Sequence, residues 1–134
     1  AENTFEAVFC ISVIEHLPLE MIPVAMQELR RVLIPGGLLL LTTDYYKNAD
    51  EEIWYISPEK RFRVDWNVFD RQRLESLILG APGLRLQGGL DLSVDWPTVS
   101  PCMQDFHGYP YTSVGVALEK ITLIDKDKGE KSHK

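Results

Sequence analysis

Two stretches decide the fold of this chain: FEAVFCISVIEH at residues 5–16 and LIPGGLLLLTTD at residues 33–44. The first contains an apolar run from Ala7 to Ile14 that only Ser12 interrupts. The second contains the apolar run Leu38–Leu41, which follows a Pro-Gly-Gly turn and ends in Thr42, Thr43 and Asp44. Consecutive apolar residues favour strands buried on both faces, as in a parallel sheet covered by helices. A right-handed crossover through the intervening segment would make the two strands parallel.

The segment between these strands has the periodicity of a helix. Ile22, Met26, Leu29 and Leu33 recur at intervals of four, three and four residues, which places them on one face. Pro23 is tolerated only in the first turn of a helix. The sequence therefore predicts a helix from about Leu19 to Leu33 that packs one apolar stripe against the sheet.

Later segments give weaker patterns. We expect a short helix over Asp50–Ile56 and a second helix from Asp70, as N-cap, to Leu79. Leu84–Val94 predicts a strand with a bulge at its paired glycines, and Val114–Ile124 predicts the last strand. Residues 125–134 are charged and lack apolar anchors, so we expect a disordered tail after a domain at 1–124.

Composition narrows the class of protein. The 134 residues carry a formal net charge of −6, which disfavours a nucleic-acid or anionic-membrane surface. Cys10 and Cys102 do not form a disulfide framework, and Cys10 falls inside an apolar strand, so we expect a reducing, cytoplasmic location. No apolar run is long enough to span a bilayer, and we expect neither membrane nor nucleic acid as a partner.

Three motifs resemble a known family in their order and spacing: NTFEAV at 3–8, SVIEH at 12–16 and ELRRVLIPGGLLLLTT at 28–43. They are similar to the middle motifs of class I S-adenosylmethionine-dependent methyltransferases. The resemblance implies an α/β fold with part of a Rossmann-like sheet, in which parallel strands and helices are followed by a last antiparallel strand. In that family a glycine-rich cofactor loop lies earlier, and none precedes Phe5. We therefore expect this chain to be the carboxyl-terminal half of such a domain.

The resemblance also implies a site. Ligands of open α/β sheets bind beyond the carboxyl ends of the strands. Carried over by position, Ser12 and Val13 would contact S-adenosylmethionine, and His16 would be the candidate base or acceptor contact. The other candidates line the acceptor pocket in this interpretation: Asp44, Tyr45, Tyr46, His107 and Tyr109.

Each candidate also has a structural interpretation. Glu15 and His16 could cap the following helix or stay solvated, and Tyr45 and Tyr46 could pack beneath a loop. A metal site at His16, Asp44, Asp105 and His107 lacks supporting spacing, so we predict none.

Two functions remain open at this point. In the first, the chain belongs to an enzyme that methylates a small molecule. In the second, it is a truncated, non-catalytic and dimeric binding module. In both, the strand at Ala7–Ile14 would expose an apolar edge, and we expect the isolated chain to self-associate through it.

Overall fold

The computed structural model describes residues 1–47, 53–56, 63–66, 69–99 and 110–122. A four-stranded sheet organises them in the order β1-β2-β6-β5. Its strands are β1 (Phe5–Ile11), β2 (Leu33–Tyr46), β5 (Leu84–Leu86) and β6 (Tyr111–Lys120). A separate hairpin pairs the backbones of β3 (Ile53–Ile56) and β4 (Arg63–Trp66). The helices are α1 (Ile22–Val32), preceded by a 3-10 turn at Leu19–Met21, and α2 (Arg71–Arg73), which continues as a π-helix over Leu74–Leu79.

The topology matches the predicted partial methyltransferase sheet. β1 and β2 are parallel, with Ile11 opposite Thr42. β6 pairs antiparallel with β2 on its other side, and β5 pairs antiparallel with β6. The predicted crossover between two parallel strands and the antiparallel last strand are both confirmed.

Strand ends differ from the predicted bounds for local reasons. β1 stops at Ile11 instead of Ile14 because Ser12 has a φ of +51°, in the left-handed region that strands do not use. β2 begins at Leu33, directly after α1, so the Pro-Gly-Gly segment lies within the strand. Its pairing with β1 is irregular between Phe5 and Ala7, and Gly36 has a φ of +80°. A bulge therefore replaces the predicted turn.

Two predicted elements were wrong. Ile53–Ile56 is a strand paired with β4, whereas we predicted a short helix over Asp50–Ile56. The strand predicted over Leu84–Val94 is only β5, because the chain turns away at Gly88, which has a φ of +72°. The last strand starts earlier than predicted and ends at Lys120. The expected tail at 125–134 lies outside the described residues.

Helices cover one face of the sheet in the part of the chain that is described. Leu39, Leu41 and Leu118 are buried in one cluster with residues of both helices, namely Ile22, Met26, Leu74 and Ile78. The opposite face bears Phe9, Ile11 and Leu38, whose exposed fractions are 68%, 52% and 37%. The prediction that β1 is buried on both faces was therefore wrong, and the expected apolar edge is present on this strand. We call Phe9, Ile11 and Leu38 the open face.

Helix α2 starts as predicted. Asp70 is its N-cap, and the Asp70 side chain accepts a hydrogen bond from the Arg73 amide at 2.9 Å. The Gly80 amide closes the π-helix by donating to Glu75 O at 2.8 Å.

Gly83 and Gly88 offer a matched pair of substitutions. Both have positive φ, +74° and +72°, but only Gly83 lies against a side chain. The Arg30 guanidinium donates to Gly83 O at 3.2 Å and occupies the space that a Cβ of residue 83 would need. We expect Gly83→Ala to destabilise by about 1–2 kcal/mol more than Gly88→Ala, since both are strained but only the first displaces Arg30. Urea unfolding of the two variants measures the difference in the free energy of unfolding. Equal losses of stability would mean that Arg30 does not pack against Gly83.

Candidate functional site

Two polar segments lie side by side at one edge of the sheet. Because β1 and β2 are parallel and Ile11 lies opposite Thr42, the residues that follow each strand emerge together. After β1 come Ser12, Val13 and a 3-10 turn at Ile14–His16; β2 itself ends in Asp44, Tyr45 and Tyr46. This is the edge at which open α/β sheets bind ligands.

Ser12 and Val13 form an exposed step beyond β1. The Ser12 amide donates to Thr42 O at 3.2 Å and to Thr42 Oγ1 at 3.1 Å, which ties the step to β2. The Ser12 amide is therefore engaged, while the exposed side chains of Ser12 and Val13 offer a hydroxyl and an apolar surface.

His16 ends the 3-10 turn and is exposed. Its amide donates to Val13 O at 3.0 Å, which closes the turn directly after Ser12 and Val13. The N-cap residues of the 3-10 turn at Leu19–Met21 and of α1 are Pro18 and Met21, and neither makes a side-chain cap hydrogen bond.

Glu15 departs from its expected solvated position. Only 1% of its surface is exposed, and Oε2 has no hydrogen-bond partner. The hydroxyl of Tyr46, also 1% exposed, has none either. The large majority of buried side-chain polar atoms in folded proteins have a hydrogen-bond partner, so these two atoms are exceptions. Sequence reasoning did not place Glu15 in the site because a glutamate after a strand is ordinarily solvated, and nothing in the sequence shows its burial.

The two tyrosines of β2 lie on opposite faces of the sheet. Tyr45 belongs to the buried cluster beneath the helices, and its ring lies 5.9 Å from that of Trp96. Tyr46 lies on the other face and stacks on Tyr111 of β6, with ring centroids 5.3 Å apart. Tyr46 and Tyr111 are also opposite each other in the β2–β6 pairing, so Tyr111 lies beside the candidate Tyr46. Asp44, two residues before Tyr46, shares its face.

Two predicted site residues, His107 and Tyr109, lie outside the described residues. Within the described ranges, no group of three potential metal ligands occurs. The same part of the chain contains no helix of sufficient length and apolarity to cross a membrane.

The environment of Tyr46 predicts a pH dependence. Burial raises the pKa of this phenol well above its ordinary value of 10.0, and the negative charges near it raise the pKa further. Above pH 10 the unfolded chain therefore loses this proton while the folded chain keeps it, so stability falls as pH rises. We expect the loss of stability between pH 9 and 11 to be smaller in Tyr46→Phe than in the unaltered chain. Urea unfolding of both proteins at the two pH values measures the loss of stability. Equal losses in the variant and in the unaltered chain would mean that the Tyr46 hydroxyl is exposed to solvent.

Comparisons with known proteins agree with this geometry. A sequence profile described as a methyltransferase domain matches residues 1–41. Solved structures of S-adenosylmethionine-dependent methyltransferases superpose on most of the chain, among them one from Mesorhizobium loti with 11% identity and a TM-score of 0.55 over 90% of this chain and 64% of that chain. The chain has the class I methyltransferase fold.

Two further solved structures with this fold belong to proteins that catalyse different reactions. The Burkholderia thailandensis 1,6-didemethyltoxoflavin-N1-methyltransferase, solved with its acceptor and S-adenosylhomocysteine, has 14% identity and a TM-score of 0.55 over 91% of this chain and 46% of that chain. The [4+2]-cyclase SpnF has 16% identity and a TM-score of 0.60, over 90% of this chain and 51% of that chain. The chain thus spans about half the length of these two relatives. No curated protein sequence matches it. Because a methyltransferase and a cyclase share the fold, the reaction must be argued from the site.

Proposed function

We propose that this chain acts in S-adenosylmethionine-dependent methyl transfer to a small-molecule acceptor, as the carboxyl-terminal half of the catalytic domain. One observation carries the proposal: in a chain with the methyltransferase fold, the exposed residues Ser12, Val13 and His16 and the polar end of β2 emerge together at the edge where open α/β sheets bind ligands. The Burkholderia thailandensis neighbour, solved with S-adenosylhomocysteine and a small acceptor, supports both the cofactor and the acceptor class.

In this proposal the residues after β1 hold the cofactor. S-adenosylmethionine, when bound, supplies a methyl group on a positively charged sulfur. The Ser12 hydroxyl and the Val13 side chain contact its methionine part, and the two hydrogen bonds from the Ser12 amide to Thr42 keep that step rigid. A rigid step matters because methyl transfer depends on alignment of donor and acceptor.

The acceptor lies on the His16 side of this step. His16 acts there as a base or as a contact to the acceptor, and the end of β2 lines the pocket through Asp44 and Tyr46. Tyr45 supports the pocket from the helix-covered face, and His107 and Tyr109 remain proposed acceptor contacts. The net charge of −6 supports a small molecule over a nucleic acid. The sequence has only two cysteines and no pattern of a disulfide framework, which fits a cytoplasmic enzyme.

The open face and the edge of β1 favour a second candidate function. An exposed edge strand with Phe9 and Ile11 beside it favours pairing with another strand. In this alternative the chain is a non-catalytic module that dimerises through β1. In the first proposal the same edge is covered by the rest of the catalytic domain.

Calorimetric titration with S-adenosylhomocysteine tests the main proposal, with the oligomeric state of the chain measured in the same buffer. Saturable binding, with one ligand per chain or per dimer, is the expected result. A chain that is folded and associated but releases no heat with this ligand would contradict cofactor binding by the residues of this chain and favour the interaction module.

A further inference from the structure

A cavity lies between helix α1 and the π-helix at Leu74–Leu79, and we call it the helix cleft. Its volume is about 390 Å³, within the range of sites that hold small molecules. None of the residues assigned to the cofactor or the acceptor lines it. The helix cleft is therefore separate from the edge of the sheet at which β1 and β2 end.

Apolar side chains form much of the wall of the helix cleft. Met26 comes from α1, Leu77 from the π-helix, and Ala81 and Pro82 from the turn that follows. Met26 and Ala81 are buried, and Leu77 is half-buried. This wall favours a ligand with an apolar body, because removal of apolar surface from water is favourable.

Arg30, in the last turn of α1, brings a positive charge to the lining. Its Nε donates to Gly83 O at 3.2 Å, and Nη2 donates to Ile121 O at 3.4 Å. These two carbonyls are neutral, and they fix the position of the half-buried guanidinium. A guanidinium has five N–H donors, so three remain for a ligand.

The carboxylates of the two helices are engaged with other arginines. The acidic residue of α1 is Glu28, which pairs with Arg31 at 2.9 Å. The acidic residue of the π-helix is Glu75, which pairs with Arg71 at 3.0 Å. Within the described ranges, no carboxylate forms an ion pair with Arg30. The charge of Arg30 is therefore available to an anionic ligand.

Gln27 adds a second polar group beside Arg30. It lines the helix cleft and is exposed. Residues three apart on a helix are neighbours, and Glu28 and Arg31, which have this spacing on the same helix, are in contact. The Gln27 amide can therefore donate a hydrogen bond to a group that Arg30 holds.

We propose that the helix cleft binds a small carboxylic acid with an apolar body. The carboxylate accepts charge-assisted hydrogen bonds from Arg30, and the apolar body covers Met26 and Leu77. A neutral amide would also accept hydrogen bonds from Arg30, but bonds to an ionised acceptor are roughly twice as strong. An ammonium group would meet Arg30 as a like charge. This inference does not depend on methyl transfer, since the two sites share no residue.

Phenylacetate, phenylacetamide and 2-phenylethylammonium are matched probes, since they share a ring and differ in charge. Each is titrated into the 134-residue chain, and binding is followed by the amide signals in NMR. We expect saturable binding of phenylacetate, with shifts at Gln27, Arg30 and Leu77. Phenylacetamide should bind roughly tenfold more weakly, because its hydrogen bonds with Arg30 lack the ionised acceptor. The ammonium should show no saturable binding.

Gln27→Glu is the most informative variant, because it places a carboxylate three residues before Arg30 at an exposed position. The new carboxylate should pair with Arg30 and weaken phenylacetate binding roughly tenfold. Arg30→Gln should abolish the preference for phenylacetate over phenylacetamide. Arg31→Gln is the matched control, since Arg31 follows Arg30 on α1 but does not line the helix cleft. It should bind phenylacetate like the unaltered chain.

Four outcomes would each overturn the proposal. They are equal affinities for phenylacetate and phenylacetamide, shifts confined to other parts of the chain, no saturable binding of phenylacetate by the folded protein, and an unchanged phenylacetate affinity in Gln27→Glu. Phenylacetate binding in a chain that does not bind S-adenosylhomocysteine would leave this inference standing while the proposed function fails. The converse pair of results would remove the helix cleft as a site and leave the proposed function intact.

Discussion

Replacing Leu39 with alanine is expected to destabilise the chain by about 2–5 kcal/mol, the range for deletion of a fully buried leucine side chain. Leu39 lies on the central strand β2, has no exposed surface and packs in the cluster with both helices. The cavity left beneath α1 and α2 cannot fill without displacing those helices. Urea unfolding, followed by circular dichroism, measures the change in the free energy of unfolding.

The adjacent residue provides the control. Leu38 is also a leucine of β2, but its side chain points to the open face and is 37% exposed. We expect Leu38→Ala to cost less than about 1 kcal/mol, because much of this side chain is already in water. Equal losses for the two variants would mean that the sheet is covered on both faces and that the one-sided arrangement is wrong.

The second large effect concerns the association through β1 that we expect of the isolated chain. Phe9 has the highest exposed fraction among the large hydrophobic residues of the described chain, at 68%, and lies on the edge strand. Burial of a phenylalanine is worth about 1.5–3 kcal/mol, so its loss should weaken association roughly tenfold to a hundredfold. A lysine at that position also opposes edge-to-edge pairing. Sedimentation of Phe9→Lys should show a shift toward monomer.

Val24→Lys is the matched control for Phe9→Lys. Val24 is 48% exposed, but it lies on helix α1, away from the open face. We expect its association to equal that of the unaltered chain. Association that persists unchanged in Phe9→Lys, or that Val24→Lys disrupts equally, would remove β1 as the interface.

Sequence patterns predicted the parts of the fold that depend on local periodicity. The strand–helix–strand unit from β1 to β2 followed from unbroken apolar runs and from the stripe that includes Ile22 and Met26. The N-cap at Asp70 followed from its side-chain chemistry. The hairpin of β3 and β4 did not, because strand propensity depends on context and the polar and aromatic residues of these short segments do not specify a strand.

The places of the candidate residues on the sheet followed from the sequence, while their roles stay a prediction. The strand ends placed Ser12, His16 and Asp44 at one edge of the sheet, since parallel strands end together. Burial of Glu15 could not be read from the sequence, because it depends on how the 3-10 turn packs against the end of β2. The exposure of β1 was also misjudged from the pattern alone: apolar residues on both faces predict two covered faces, whereas the described chain supplies a cover for one.

The most direct test of this account is an amide NMR titration of the chain with S-adenosylhomocysteine. The account predicts shifts at Ser12 and Val13 and at Thr42–Asp44 on the neighbouring strand, while the amides of Gly83 and Gly88 stay unchanged as internal references. Saturating shifts at the ends of β1 and β2 would place the cofactor at the proposed edge. Shifts confined to other parts of the chain, or none at saturating ligand in the folded protein, would contradict it.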